Sequence, residues 1–214
     1  MGLAQMGLAD RQAVRHSYND AYRRPGPLFG MRPDPAVEQI VRERGLRGRA
    51  LDLGAGDGRH SVFLARNGFT VDAVDISEQA IAKLSRLALE EALPIHPRLG
   101  DCTHPGCIAG PYEMVVADTV LGHFVAGEAS RIGARIAAAL APGGWLFVTA
   151  FAPDDPRQSE FAPLVRAYFR PHELLALFPG LRTESCEELA LLDRTHGWPH
   201  EHRIVRLIAQ KEAD

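Results

Sequence analysis

The sequence predicts an α/β fold, a doubly wound and largely parallel sheet preceded by helices, on three observations. From Arg49 onward, short apolar runs alternate with helical stretches, the pattern of parallel strands joined by crossover helices. A glycine-rich loop directly follows the first of these runs. Near the end, two long strand-like runs are joined only by THGWP, and a hairpin that short is antiparallel.

Taken in order, the first forty-odd residues read as helical. Asp10 and Asp34 are the expected N-caps, Pro35 fits a first helical position and Gly45 lies just past an end. The Pro/Gly cluster from Pro25 to Gly30 separates two helices. RALDLG is the first strand, HSVFLARNG a helix ending in Gly68, and TVDAVD the second strand. A helix begins at Ser77 with Ile81, Leu84 and Leu87 on one face, and IHPRLG, interrupted by Pro97, is a weaker third strand. YEMVVAD, EASRIGARIAAAL and GWLFVTAF supply strand, helix and strand, with Pro142, Gly143 and Gly144 as the turn before the last. Pro171 opens a short helix through Phe178, and LRTESCEELALLD and EHRIVRLIAQ are the closing strands.

Size and charge limit the function. A chain of 214 residues fits one domain with a modest appendage: a tail and helical lid over 1–34 and the main domain over 35–214. With 24 Lys and Arg against 27 Asp and Glu, the net charge of -3 sets up no field for polyphosphate or anionic lipid, so neither nucleic acid nor membrane is an expected partner. Cys102, Cys107 and Cys186 are an odd set without a CxxC pair, which fits a reducing cytoplasm. The MGLAQMGLAD start lacks the basic and apolar regions of a signal peptide and reads as a tail.

The chemistry is concentrated in ALDLGAGDGRH, residues 50–60. Glycines at 54, 56 and 58 let the backbone turn sharply and approach a ligand, and the following helix presents its N-terminal amides. The dinucleotide fingerprint needs a third packing glycine where Arg59 stands, which disfavours NAD. Asp75 ends the second strand 19 residues past Gly56, where a carboxylate accepts from both ribose hydroxyls. Asp101 ends the third strand in LGDC.

By this glycine loop, the strand-end acids, the PGG turn and the closing hairpin, residues 35–210 resemble the class I S-adenosylmethionine-dependent methyltransferases. Within them, LDLGAGDGRHSVFLARNGFTVDAVD, YFRPHELLALFPG and HRIVRLIAQK look like the tellurite-resistance type and its small-molecule relatives. The resemblance implies a Rossmann-like seven-stranded sheet of order 3-2-1-4-5-7-6 with the last strand antiparallel, and S-adenosylmethionine as cofactor. It places Gly54, Ala55 and Gly56 at the methionine moiety, Asp75 and Ile76 at the ribose, Asp101 and Cys102 at the adenine, and Asp118 at the ammonium. Asp52 either touches cofactor or fixes the loop, and Cys102 is equally a small core residue.

Acceptor recognition is read from fewer signals. His123, in ADTVLGHF, is the expected general base for an alcohol acceptor, with a capping or surface role as its alternative. Tyr18 and Tyr22, four apart, either lid the site or pack. His196, His200 and His202 cross a turn with no Cys or acid to complete a set, so no metal is expected; with Arg203 they would line an acceptor pocket. There is no Asn/Asp-Pro-Pro-Tyr run and no Pro-Cys nucleophile after the fourth strand. The expected reaction is in-line methyl transfer to oxygen, sulfur, nitrogen or a metalloid on a small molecule, against the alternative of a non-catalytic S-adenosylmethionine-binding adaptor.

Overall fold

A computed structural model describes residues 8–161, 164–195 and 198–213. Helix α1 is described over Leu8–Tyr22, so Asp10, the expected cap, lies within the helix, where it pairs with Arg166 at 2.5 Å. In α2 (Pro35–Arg44) the expected signals all operate. Asp34 accepts the Ala36 N–H at 2.8 Å, and Gly45 ends the helix in the left-handed conformation at φ 59.

The sheet and its crossovers follow: β1 (Gly48–Leu53), α3 (Arg59–Arg66), β2 (Phe69–Asp75), α4 (Glu78–Glu90), β3 (Ile95–Leu99), β4 (Tyr112–Asp118), α5 (Ala126–Ala139) and β5 (Leu140–Phe151). After short helices α6 (Gln158–Phe161) and α7 (Pro171–Leu175) come β6 (Leu181–Asp193) and β7 (His200–Lys211). Seven strands lie in the order β3-β2-β1-β4-β5-β7-β6, with β7 antiparallel to both neighbours. From β1 the chain builds outward to β3 on one side and from β4 on the other. The ends of β1 and β4 therefore flank a topological switch point, the crevice where ligands of open α/β sheets bind.

Both faces of the central strands are covered, which is why β4 and the second half of β5 are nearly continuous apolar runs, whereas the edge strands β3 and β6 are largely exposed. Leu51 and Leu53 of β1 join Val115, Val148 and residues of α5 and α7 on one face. Ala50, pointing the other way, joins Phe147, Leu64 and Leu84 beneath α2, α3 and α4.

Three boundaries differ from expectation. α3 stops at Arg66, because Asn67 caps it and Gly68, at φ 91, turns the chain into β2. The helix opened by Pro171 is a five-residue turn ending at Leu175, although Leu177 and Phe178 remain buried. β5 begins earlier, with Leu140 opposite Tyr112; the Pro-Gly-Gly turn bulges out before Trp145 resumes pairing with Met114. Among the described residues no helix is long and apolar enough to cross a membrane.

Candidate active site

The glycine loop is held from below by β2. Gly54 and Ala55 both donate to the Val74 carbonyl, at 2.8 and 3.1 Å, so the chain reverses at once on leaving β1. Gly54 has φ 75 and Gly56 φ 55, a region L side chains rarely adopt. Asp75 closes the loop against α4: one carboxylate oxygen accepts Gly56 N–H and the other Ser77 N–H, each at 2.8 Å. Burial raises its pKa, opposed by those amides and that of Ile76. Each oxygen carries a second lone pair, so the two amides leave acceptor capacity for the two hydroxyls of a ribose.

The remaining acids divide into distinct roles. Asp52 faces α3 and accepts from Ser61 Oγ at 2.6 Å, and burial pushes its carboxyl up to about 7. Asp52 is thus tied to the first turn of α3, just after the loop. Asp118, at the end of β4, is held by Arg59 and by the Thr149 hydroxyl, with His60 Nε2 at 3.9 Å. Burial alone would raise its pKa, but Arg59 and the other partners hold it below the ordinary carboxylate value. The buried His60 accepts the Asp34 N–H at 3.2 Å and is driven down to about 4 by desolvation.

Asp101 accepts from Thr103 through its backbone N–H at 2.8 Å and its hydroxyl at 2.7 Å, and pairs with Arg11 at 3.1 Å. Cys102 is buried beside it, and burial raises its thiol pKa. Ile76 is half-buried between Asp75 and Ser77.

Helix α1 lies over this edge of the sheet. Arg11 reaches Asp101 and Glu128, Arg15 pairs with Glu78, and Asn19 accepts from Ser77 Oγ at 2.7 Å. Tyr22 rests on the Gly56 Cα, where any Cβ would overlap its hydroxyl. The stripe runs 11, 15, 18, 19, 22 along one helical face, with the buried apolar Val14 beside it. Sequence reasoning noticed only the two tyrosines; the regular spacing of Arg, Arg, Tyr, Asn and Tyr was the available signal. Arg59, read only as a missing glycine, is the partner of Asp118.

His123 sits in a 3-10 turn (Val120–His123) after β4. Its Nδ1 lies 3.0 Å from the Leu164 carbonyl, which only accepts, so in the neutral ring Nδ1 carries the hydrogen. Nε2 is then the acceptor for the Tyr18 hydroxyl at 3.0 Å. Burial lowers the imidazole pKa and raises that of Tyr18, so both groups are neutral near pH 7.

The hairpin corrects one expectation. His202 is buried while Arg203 is exposed and pairs with Glu201 at 3.4 Å, because successive strand residues face opposite ways. Arg203 therefore does not converge with the histidines, and His196 lies outside the described residues. Arg206, not singled out from sequence, approaches Asp34 at 3.6 Å and Glu187 at 2.8 Å.

Comparison with known proteins agrees with this geometry. The family profile described as a methyltransferase domain matches residues 50–144, from β1 through the glycine loop and Asp75 to the turn before Trp145. Over these residues, a little under half of the chain, the sequence is similar to a methyltransferase domain, and the sheet order and strand-end acids accord with that similarity. Among particular proteins, the chain is 29% identical to Hemagglutinin 1 of Eikenella corrodens over 170 residues, covering 76% of this chain and 54% of that protein. It is 39% identical to the ubiquinone biosynthesis O-methyltransferase of Caulobacter sp. (strain K31) over 104 residues, 47% of this chain and 39% of that enzyme. The chain thus spans about half the length, or less, of the curated relatives it matches. TehB from Haemophilus influenzae superposes with a TM-score of 0.72 over 93% of this chain and 67% of its own, at 20% identity, a likeness of fold alone.

Proposed function

We propose that this chain transfers a methyl group from S-adenosylmethionine to a small-molecule acceptor, with residues 1–34 acting as tail and lid over the domain at 35–214. The observation that carries the reading is the loop of Gly54, Ala55 and Gly56 tied to Asp75, beside the opposed charges of Arg59 and Asp118. A side-chain-free backbone suits the methionine chain, and an adjacent cation and anion match its α-carboxylate and α-ammonium groups. Asp75, beside Ile76, supplies the ribose acceptors. Asp101 and Cys102 border the adenine position.

The cofactor supplies an electrophilic methyl on a sulfonium, so the protein contributes alignment, water exclusion and, for an alcohol acceptor, proton removal. Water exclusion falls to α1, whose Tyr18 and Tyr22 cover the loop and His123. The acceptor proton passes to the Tyr18 hydroxyl as that hydroxyl gives its own to His123 Nε2. A thiolate or metalloid oxyanion needs no such relay. The similarity to a ubiquinone biosynthesis O-methyltransferase supports an oxygen acceptor. Cys102, Cys107 and Cys186 as free thiols support a cytoplasmic setting.

The test is thermal melting followed by turnover. S-adenosylmethionine and its demethylated product should each raise the melting temperature where NADH does not. Labelled methyl transfer to a panel of phenols, thiols and oxyanions then reads the activity. No shift at millimolar ligand refutes the cofactor reading. Binding with no transfer to any acceptor points to the non-catalytic adaptor.

A further inference from the structure

The antiparallel pairing of β6 and β7 brings together residues that their sequence spacing kept apart. Asp193 is the cross-strand partner of His200, and His202, two residues on, faces the same way. The acid that seemed missing from the histidine set is thus supplied by the other strand. One carboxylate oxygen of Asp193 and one nitrogen from each of His200 and His202 lie within 4.8 Å of one another.

The hydrogen bonds behind the rings determine which nitrogens face inward. His202 Nδ1 lies 3.0 Å from a carboxylate oxygen of buried Asp155, an oxygen that also accepts the Arg203 N–H at 2.8 Å. His200 Nδ1 lies 2.6 Å from the Trp198 carbonyl. Carboxylate and carbonyl both only accept, so each neutral ring carries its hydrogen on Nδ1 and turns an Nε2 lone pair inward. Those two Nε2 atoms are 3.0 Å apart, which sets lone pair against lone pair. A cation between them removes that conflict, and the outer hydrogen bonds, carboxylate to one histidine and carbonyl to the other, are those that orient metal-bound imidazoles.

We propose that Asp193, His200 and His202 bind one divalent transition-metal ion of the zinc type, contrary to the sequence expectation that no metal is held. The ligand set excludes magnesium and calcium, which take oxygen, and suits zinc, cobalt or nickel. At a metal–nitrogen distance of about 2.1 Å, an N–N separation of 3.0 Å corresponds to an angle of roughly 90° at the metal; a tetrahedral site needs ~3.4 Å. The geometry therefore suits five- or six-coordination, with further positions open to water or another donor. Both rings bind through lone pairs, so neither loses its Nδ1 hydrogen on metal binding. The cluster lies at the same end of the sheet as Asp118, with the Phe151 ring of β5 packed 5.2 Å from His202. It does not depend on the methyl-transfer reading.

The experiment titrates chelator-treated full-length protein with Co²⁺, then with Zn²⁺ as competitor. The expected result is one saturable Co²⁺ per chain, weak visible bands of a five- or six-coordinate nitrogen/oxygen site, and displacement by Zn²⁺. Asp193→Asn and His200→Ala, at half-buried positions, should each weaken binding at least tenfold while far-ultraviolet circular dichroism stays unchanged. Absence of saturable binding overturns the proposal and leaves a shared proton between the imidazoles. Intense near-ultraviolet sulfur-to-cobalt bands, or undiminished binding in both variants, also overturns it by placing the ion elsewhere.

Discussion

Gly56→Ala tests the central packing contact of the site, because two separable costs meet at one Cα. The backbone there has φ 55, and a Cβ in that region costs about 1 kcal/mol. The new methyl also overlaps the Tyr22 hydroxyl and stands 3.3 Å from Cζ. Tyr22 is 4% exposed, with Tyr18 and Phe29 as ring neighbours, so it cannot swing clear, and overpacking of this kind adds roughly 1–2 kcal/mol. The expected total is about 2–3 kcal/mol by urea denaturation. Tyr22→Phe removes the overlapping oxygen and by itself should cost no more than about 1 kcal/mol. In the double variant the overlap is gone, so the cycle should show a favourable coupling of about 1 kcal/mol. A Gly56→Ala cost near 1 kcal/mol with zero coupling would refute the reasoning: the backbone strain would stand alone and α1 would not lie on the loop.

Further outcomes follow from the same geometry. Asp75→Ala should weaken S-adenosylmethionine binding by roughly 2 kcal/mol in calorimetry, since buried ribose hydroxyls lose their acceptor; an unchanged dissociation constant would place the ribose elsewhere. His60, depressed to about 4, contributes stability that is complete above the ordinary histidine value of about 6.5 and is lost as pH falls through about 4. Asp52, raised to about 7, works in the opposite sense, adding stability as pH falls below 7. His60→Gln should therefore gain stability relative to the parent between pH 7 and pH 4, by up to roughly 3 kcal/mol, and parallel urea midpoints at both pH values would contradict this. His123→Gln should lower kcat for an alcohol acceptor with little change in KM. In the parent the acid limb of kcat/KM should lie below the usual histidine pKa, because burial depresses the imidazole; an unaltered kcat would remove His123 from the chemistry.

What the amino-acid sequence determined by itself was local or periodic. The central strands could be read because they are buried on both faces and written as apolar runs, as YEMVVAD shows. The cap at Asp34 was legible because a short polar side chain satisfies an amide two residues away. The glycine loop and Asp75 were legible because backbone reversal and strand-end carboxylates leave marks at fixed spacing. Boundaries failed where a single turn decides them, as at Arg66 and Leu175.

Only the tertiary structure decided which charged groups meet. Arg59 with Asp118, Arg11 with Asp101 and Glu128, and Asp155 with His202 are separated by between 47 and 117 residues, and no spacing rule relates their positions. The hairpin makes the same point at shorter range. Strand pairing put Asp193 beside His200, whereas alternation along β7 turned Arg203 away from the histidines its sequence position seemed to join. A carboxylate in water is indifferent to which cation it finds, but once buried it must be paired or hydrogen-bonded, and the fold determines which partner is within reach.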